Sequence, residues 1–494
     1  MIVRCVAWST LCPVHRANGI RLLLALAGLA GLAGCHSAYP AQRDSYQTAL
    51  GNGGYAAAAE VAAGAAESDP ASGTLWSLEL AAAQRAAGRV RECAEVLEAA
   101  EALFLEADAG PELSLSGEGL ATLTDPYALP YAGRNLDRIF AATYQALAHL
   151  SLGEREKARV CLTRSLFRME DSARRVVAIR STVEREEKEI SQQDTQMQAR
   201  IGDSRLASVR AGVNARFAGR EPRENALAPW LHGIFHLRTA EGPADLERAR
   251  KSLRRAADMA AGDRFITTDL ALAETSATRP DPGPGRTVVY LIHEEGLAPE
   301  WTEERVAIPL IYGDVRAPMV NLALPALVPR PRQTRPIQVA ASGLPAITFD
   351  LLTDVDALVH AEFREAYPLA RNRAIASATM KAVAGYAANK AAQESARQRG
   401  DSAGAQLLAT ATLMVTNAYA LESAHADLRS WTSLPQTVHL ARIEVAHGTP
   451  IRISGGSISG EVVHKPAPVR AVIVTIRSIS PNTPVILQES ILQP

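Results

Sequence analysis

The chain has no surplus of charge of either sign: 52 Lys and Arg face 53 Asp and Glu, a formal net charge of −1 over 494 residues. Without a concentrated basic surface to neutralise phosphates, nucleic acid is excluded as a partner class. Cysteine is scarce, with only Cys5, Cys12, Cys35, Cys93 and Cys161, too few for a disulfide framework. Runs long and apolar enough to cross a bilayer are missing too. The apolar run at residues 22–34 is shorter than the roughly 20 residues a spanning helix needs. Residues 402–421 carry no charge over 20 positions, yet Gln406, Thr410, Thr412, Thr416, Asn417 and many alanines make transfer into hydrocarbon barely favourable. A small-residue helix packed inside the protein is expected there.

What the N-terminus does contain is a removable signal. Arg4, Arg16 and Arg21 precede the apolar run, and Leu32-Ala33-Gly34-Cys35 closes it with small residues before a cysteine. The segment resembles the signal and lipobox of bacterial lipoproteins. That resemblance implies that residues 1–34 are removed and that Cys35 carries a diacylglycerol and an acylated amino group. Two or more acyl chains, at about 0.8 kcal/mol per buried methylene, hold a protein stably on a bilayer. His36 stands where aspartate favours inner-membrane retention in Gram-negative lipoproteins, so the resemblance places the chain on the outer membrane, facing the periplasm. Removing three arginines takes the net charge from −1 to −4. Cys93 and Cys161 remain, both inside apolar helical patterns where a buried free thiol is expected.

The first half repeats itself. Gly53-Gly54-Tyr55 followed by Ala56, Ala57, Ala58, Ala62 and Ala65 resembles the second helix of a tetratricopeptide repeat, and Gly88, Val90, Cys93, Leu97 and Ala100 form a second copy. The two leading glycines are 35 positions apart, close to the roughly 34-residue period of that class. Gly153, Ala158, Leu162 and Ser165 make a third copy, and Trp230, Gly233, Ala249, Leu253 and Ala256 a looser fourth. Each helical hairpin has two faces to bury, so neighbours stack. Residues 106–136 read as a loop between hairpins. Residues 170–215 read as a long solvated helix with Arg174, Arg175, Glu184, Glu186, Glu187 and Lys188 on exposed turns.

Three prolines and two glycines within residues 278–285 mark a linker. Beyond it, residues 287–292 form a strand buried on both faces, with further strands at 308–312, 337–340, 437–445, 451–454 and 472–477. Between them, Thr353 is placed to cap a helix through Val355, Leu358, Val359, Phe363 and Tyr367 that ends near Pro368, and helices follow at 371–397 and 403–423. Glu295-Gly296-Leu297-Ala298-Pro299, Arg371-Asn372-Arg373-Ala374-Ile375 and the segment from Ala426 through Asp427, Arg429, Trp431 and Leu434 to Pro435 resemble landmarks of a family of uncharacterised bacterial envelope lipoproteins. Physically, Asp427 and Arg429 are placed to pin a helix-to-strand turn by a charge-assisted hydrogen bond, with Trp431 packing into the sheet edge before Pro435.

Few patterns suggest chemistry. Gly400-Asp401-Ser402-Ala403-Gly404 matches the G-x-S-x-G elbow of α/β-hydrolases, but a polar helical stretch precedes it where a buried strand is needed, so Ser402 or Asp401 reads as a helix cap. His232 and His236 share a helix face, but no third metal ligand is evident. The cluster His293-Glu294-Glu295 at a strand end reads as solvated, and the glycine-rich residues 455–460 as a hairpin turn. The sequence therefore describes an α+β protein. Its expected parts are a signal peptide at 1–34, a tetratricopeptide-like helical domain at 35–277, a linker at 278–286, and an α+β domain at 287–494 with an embedded helical segment at 353–425. No metal, cofactor or catalytic residue is assigned. The expected role is that of a lipid-anchored scaffold or assembly factor that binds envelope proteins and meets the membrane through Cys35, rather than an enzyme. The alternatives are an envelope hydrolase or a component of a membrane-embedded export assembly.

Overall fold

The protein is described here by a computed structural model covering residues 38–109, 126–193, 203–220, 224–312, 315–332, 335–398 and 424–494. Cys35, Ser402 and the uncharged stretch at 402–421 lie outside the described residues. The first half is a run of antiparallel helical hairpins: α1 (Tyr39–Gly51) with α2 (Tyr55–Ser68), α3 (Gly73–Ala86) with α4 (Val90–Ala109), and α5 (Asn135–Ser151) with α6 (Arg155–Gln193). Helix α7 (Ser204–Arg216) follows, then α8 (Leu227–Thr239) paired with α9 (Pro243–Met259), and α10 (Arg264–Thr275). The first three hairpins turn in the same way. Gly53, Gly88 and Gly153 have φ of 77°, 75° and 74°, a left-handed backbone that favours glycine. Each donates to the carbonyl three residues back, Leu50, Arg85 or Leu150, and the next residue donates to the carbonyl five back. This is the Schellman closure, which satisfies the last carbonyls of a helix and reverses the chain within three residues. The repeating glycines of the sequence are these turns.

Small residues set the helix crossings. Ala58, Ala62 and Ala65 of α2 are buried, and a Cβ added to Gly233 of α8 would come within 2.7 Å of Leu253 on α9. Helix α6 continues the third hairpin to Gln193, and the charged residues along it are mostly exposed or half-buried. Arg168 and Glu186 are buried, and the Glu186 charge acts on Arg373. The solvated reading fails there because a second helix lies over that turn.

Among the described residues, the second half contains three sheets. In the largest, β1 (Arg286–Glu295) lies between β10 (Ala471–Ser478), to which it is parallel, and β7 (Thr437–Ala446), to which it is antiparallel. Strands β11 (Ile486–Gln493) and β6 (Asp350–Asp354) complete the order β11-β10-β1-β7-β6. Central placement explains the burial of β1 on both faces. A long hairpin of β2 (Glu300–Tyr312) and β3 (Val315–Val328) pairs only with itself, and a four-stranded sheet has the order β5 (Ile347–Thr348), β4 (Gln338–Ala341), β8 (Ile451–Ser454), β9 (Glu461–His464). Residues 455–460 join β8 to β9 as the expected hairpin turn. Helix α11 (Val355–Arg397) differs from expectation in two ways. It runs through Pro368 instead of ending there, because Phe363, Tyr367 and Ile375 on either side of the proline are all buried against neighbouring elements. Its cap is Asp354, whose Oδ1 accepts from the Ala357 backbone N–H at 3.1 Å, while the Thr353 hydroxyl accepts from the Leu227 N–H.

Residues 277–285 are irregular and lead straight into β1, yet the helices and sheets on either side share one continuous hydrophobic core from Tyr39 to Leu492. Among the described residues, no helix is long and apolar enough to cross a membrane.

Candidate binding site at the seam of helices and sheet

The segment at 424–436, which carries the sequence landmark, lies in irregular backbone between α11 and β7 and faces the helical hairpins. Arg429 pairs with Asp427 through both carboxylate oxygens at 2.9 Å, the bond expected from their spacing. Its reach is longer than the local turn. The same guanidinium donates to the carbonyls of Leu129 and Pro126 at 2.8 Å and of Ala71 at 3.3 Å, between the rings of Tyr127 and Tyr131. A planar fork with five N–H donors suits several fixed acceptors at once. Burial opposes the Arg429 charge, and Asp427 more than offsets it, so the group is held above its ordinary value.

Three and four residues on, Thr432 and Ser433 fasten the segment to α3. The Glu79 carboxylate accepts from the Thr432 N–H and hydroxyl at 2.7 Å and from the Ser433 hydroxyl at 2.5 Å. Burial raises the Glu79 carboxyl, and these donors partly restrain the rise. Trp431 does not pack into the sheet edge. It stands edge-on to Tyr144 of α5, 5.7 Å between ring centres, because the helical hairpins cover that side of the sheet. Pro435 closes the segment, and the flanking Leu434 carbonyl and Gln436 N–H bond Ala298 and Glu295 in the chain just after and at the end of β1.

Trp431 lines a small cavity between the helices and the sheet. Its walls are mostly apolar, from Leu50, Ala81, Leu97 and Ile486. On the sheet side, Thr475 and Arg477 of β10 and Gln488 of β11 face in, and Arg85 of α3 comes from the helices. Arg85 grips Glu294 of β1 through both carboxylate oxygens, at 2.8 and 3.1 Å, and donates to Gln488 at 3.2 Å. Arg477 lies farther off, its Nε 4.0 Å from Glu294, and spends its hydrogen bonds on the Glu294, Ser433 and Ser478 carbonyls. The two arginines move in opposite directions as a result. Burial works against both; the close Glu294 pair raises Arg85, whereas Arg477 ends lowered. Cys93 also lines the cavity. Burial pushes its thiol up to about 12, which holds it as an unreactive thiol.

The other expected residues fall elsewhere. His293, Glu294 and Glu295 are buried rather than solvated, because the strand end is covered on both faces. Glu294 faces Arg85. On the opposite face His293 meets Ser478 at 3.0 Å and Glu295 meets Ser457 at 2.9 Å, beneath the 455–460 turn. That turn needs glycine: Gly456 has φ of 54°, and a Cβ there would lie 2.9 Å from Glu295 Oε1. The His232 and His236 rings lie 4.5 Å apart, tilted by 53°, but face separate partners, Ser252 at 2.9 Å and Asp245 at 3.5 Å. Among the described residues no group of three or more His, Cys, Asp or Glu side chains is placed to hold a metal ion.

Arg85, Glu79 and Arg477 are absent from the residues the sequence singles out, and Glu294 appears there only within a strand-end cluster read as solvated. Arg85 and Glu294 are 209 positions apart, and no local pattern links them. Comparison of the chain with protein-family models, with curated proteins and with solved structures finds no match in any of the three.

Proposed function

We propose that this chain is an outer-membrane lipoprotein, anchored through Cys35 and facing the periplasm, that works as a protein-binding scaffold of the envelope. The single observation that supports a protein partner is an apolar face on the helical stack that is exposed among the described residues. Val160 and Phe167 of α6 are 55% and 53% exposed, seven residues apart and so on one side of the helix, and Val177 farther along is 61% exposed. Ion pairs of Glu101 and Asp108 on α4 with Arg168 and Arg175 on α6 hold the two helices side by side, with Leu105 of α4 also 57% exposed. Apolar side chains grouped on a rigid helical surface are the usual anchors of a partner helix or peptide. The lipobox resemblance supplies the location, and the family landmarks agree with it.

A photo-crosslinking amino acid at Phe167, with Glu67 on α2 as the control position, tests this reading in cells that incorporate labelled palmitate. We expect labelled mature protein, loss of label in Cys35→Ser, and a discrete adduct from position 167 that Val160→Glu abolishes. An unlabelled protein removes the anchor; a labelled protein without an adduct removes the partner.

A further inference from the structure

The exposed face of α4 and α6 is charged as well as apolar, and on α4 the charge has one sign. Glu92, Glu95, Glu98 and Glu106 are exposed and form no ion pair among the described residues, and no basic residue follows Arg91 in that helix. Glu101 and Asp108 are already spent on arginines of α6. Four unneutralised carboxylates on one helix attract a basic partner and repel an acidic protein or an anionic lipid. The geometry adds a shape. Glu101 with Arg168 and Asp108 with Arg175 both join residues 67 apart, so α4 and α6 run parallel and in register. Burial first, and then the Glu98 charge, raise the Cys161 thiol of α6, so Glu98 stands on the side of α4 turned to α6. Leu105, seven residues on, shares that side. Across from it, Val160 and Phe167 stand two turns apart, about 10.5 Å along the axis. A helix meets both from one face with residues seven apart, whereas a strand covers that distance in about three residues, whose side chains point to opposite sides. A second copy is a poor fit. The arginine-bearing helices α7 and α9 show no exposed large apolar side chain.

We propose that the groove between α4 and α6 receives a basic amphipathic helix of another protein, its apolar side chains on Val160, Phe167 and Leu105 and its lysines or arginines along Glu95 and Glu98. This rests on the scaffold reading and narrows it to a cationic helical partner.

Fluorescence anisotropy of a synthetic helical peptide tests the groove on the full chain carried in phosphatidylcholine nanodiscs, with empty discs as the background. The probe has leucines at helical spacing along one face and lysines on its flanks, and its control carries glutamate for every lysine. We expect the lysine peptide to bind saturably and about tenfold or more tighter than the glutamate peptide. Joint Glu95→Lys and Glu98→Lys, which remove no ion pair found among the described residues, should reverse that order with circular dichroism and melting unchanged. Phe167→Ala should weaken the lysine peptide about tenfold. A lysine peptide that does not bind above background, equal binding of the two peptides, or a preference that survives the charge reversal overturns the proposal. The scaffold reading is tested apart, since the adduct at position 167 in cells forms with a partner of any charge. An adduct without peptide binding removes the basic helix and keeps the scaffold.

Discussion

Arg429 shows how much one side chain can decide and how little of that is local. Its pairing with Asp427 follows from two residues standing two apart, and for that reason it was legible in the sequence. Its bonds to Ala71, Pro126 and Leu129 go to backbone carbonyls, which every residue has and which leave no trace in side-chain pattern. Removing the guanidinium leaves the three carbonyls without their donor, beside a partly exposed Asp427 carboxylate. Arg429→Ala is therefore expected to lower the unfolding free energy by about 1–3 kcal/mol in urea titrations. Arg429→Lys should recover less than half of the loss, because an ammonium cannot meet a carboxylate and three carbonyls from one plane. The misread triplet His293-Glu294-Glu295 has the same origin: polar residues at a strand end look solvated until a distant arginine and a glycine turn are found to cover them.

At the scale of elements, the helical hairpins were legible because their turn chemistry repeats: a glycine at each left-handed position and alanine at each crossing. The sheets were legible in part. Strands β1, β7, β8 and β10 declared themselves by β-branched runs or by alternation, whereas β3 and β11 are interrupted by proline, asparagine or glutamine and were missed. Helix α11 misled for a different reason, since the rule that proline ends a helix gives way when buried side chains on both sides reward continuation. Two glycines within helices separate packing from propensity. Gly233 lets α8 approach α9, so Gly233→Ala should cost about 1–3 kcal/mol by thermal or urea unfolding, from overpacking against Leu253. Gly64 in α2 has no neighbour within 4 Å of the added methyl, and Gly64→Ala should stabilise by about 1 kcal/mol in the same assay.

Taken as a whole, the molecule is tied across its middle by Arg85 to Glu294, Glu79 to Thr432 and Ser433, and Arg238 of α8 to Tyr290 of β1 at 2.9 Å. A buried histidine and a half-buried one lie on the two sides of that seam. Burial lowers His232, in the helices, to about 3 and His439, in the sheet, to about 4. A histidine depressed in the folded state contributes stability that is complete above its unfolded value near 6.5 and is lost as pH falls toward the folded value. Each such group steepens acid unfolding by about 1.4 kcal/mol per pH unit across that window. Equilibrium unfolding measured from pH 7 to 4 should show His232→Gln losing stability less steeply than the parent below pH 6.5. Tryptophan fluorescence and far-ultraviolet dichroism should report the same midpoint, since the core has no break at which the halves can part.

The first described turn has a consequence for reach. Tyr39 opens α1 and is sealed against Trp76 and Tyr127, with ring centres 5.6 and 5.9 Å away. A lipid on Cys35, as proposed, would sit four residue steps from that fixed point, at most about 14 Å of extended backbone. Such a short tether would leave no stalk. The body of the protein would lie moored against the leaflet, unable to wander through the periplasm, and whatever docks on its helices would have to come to the membrane surface to do so.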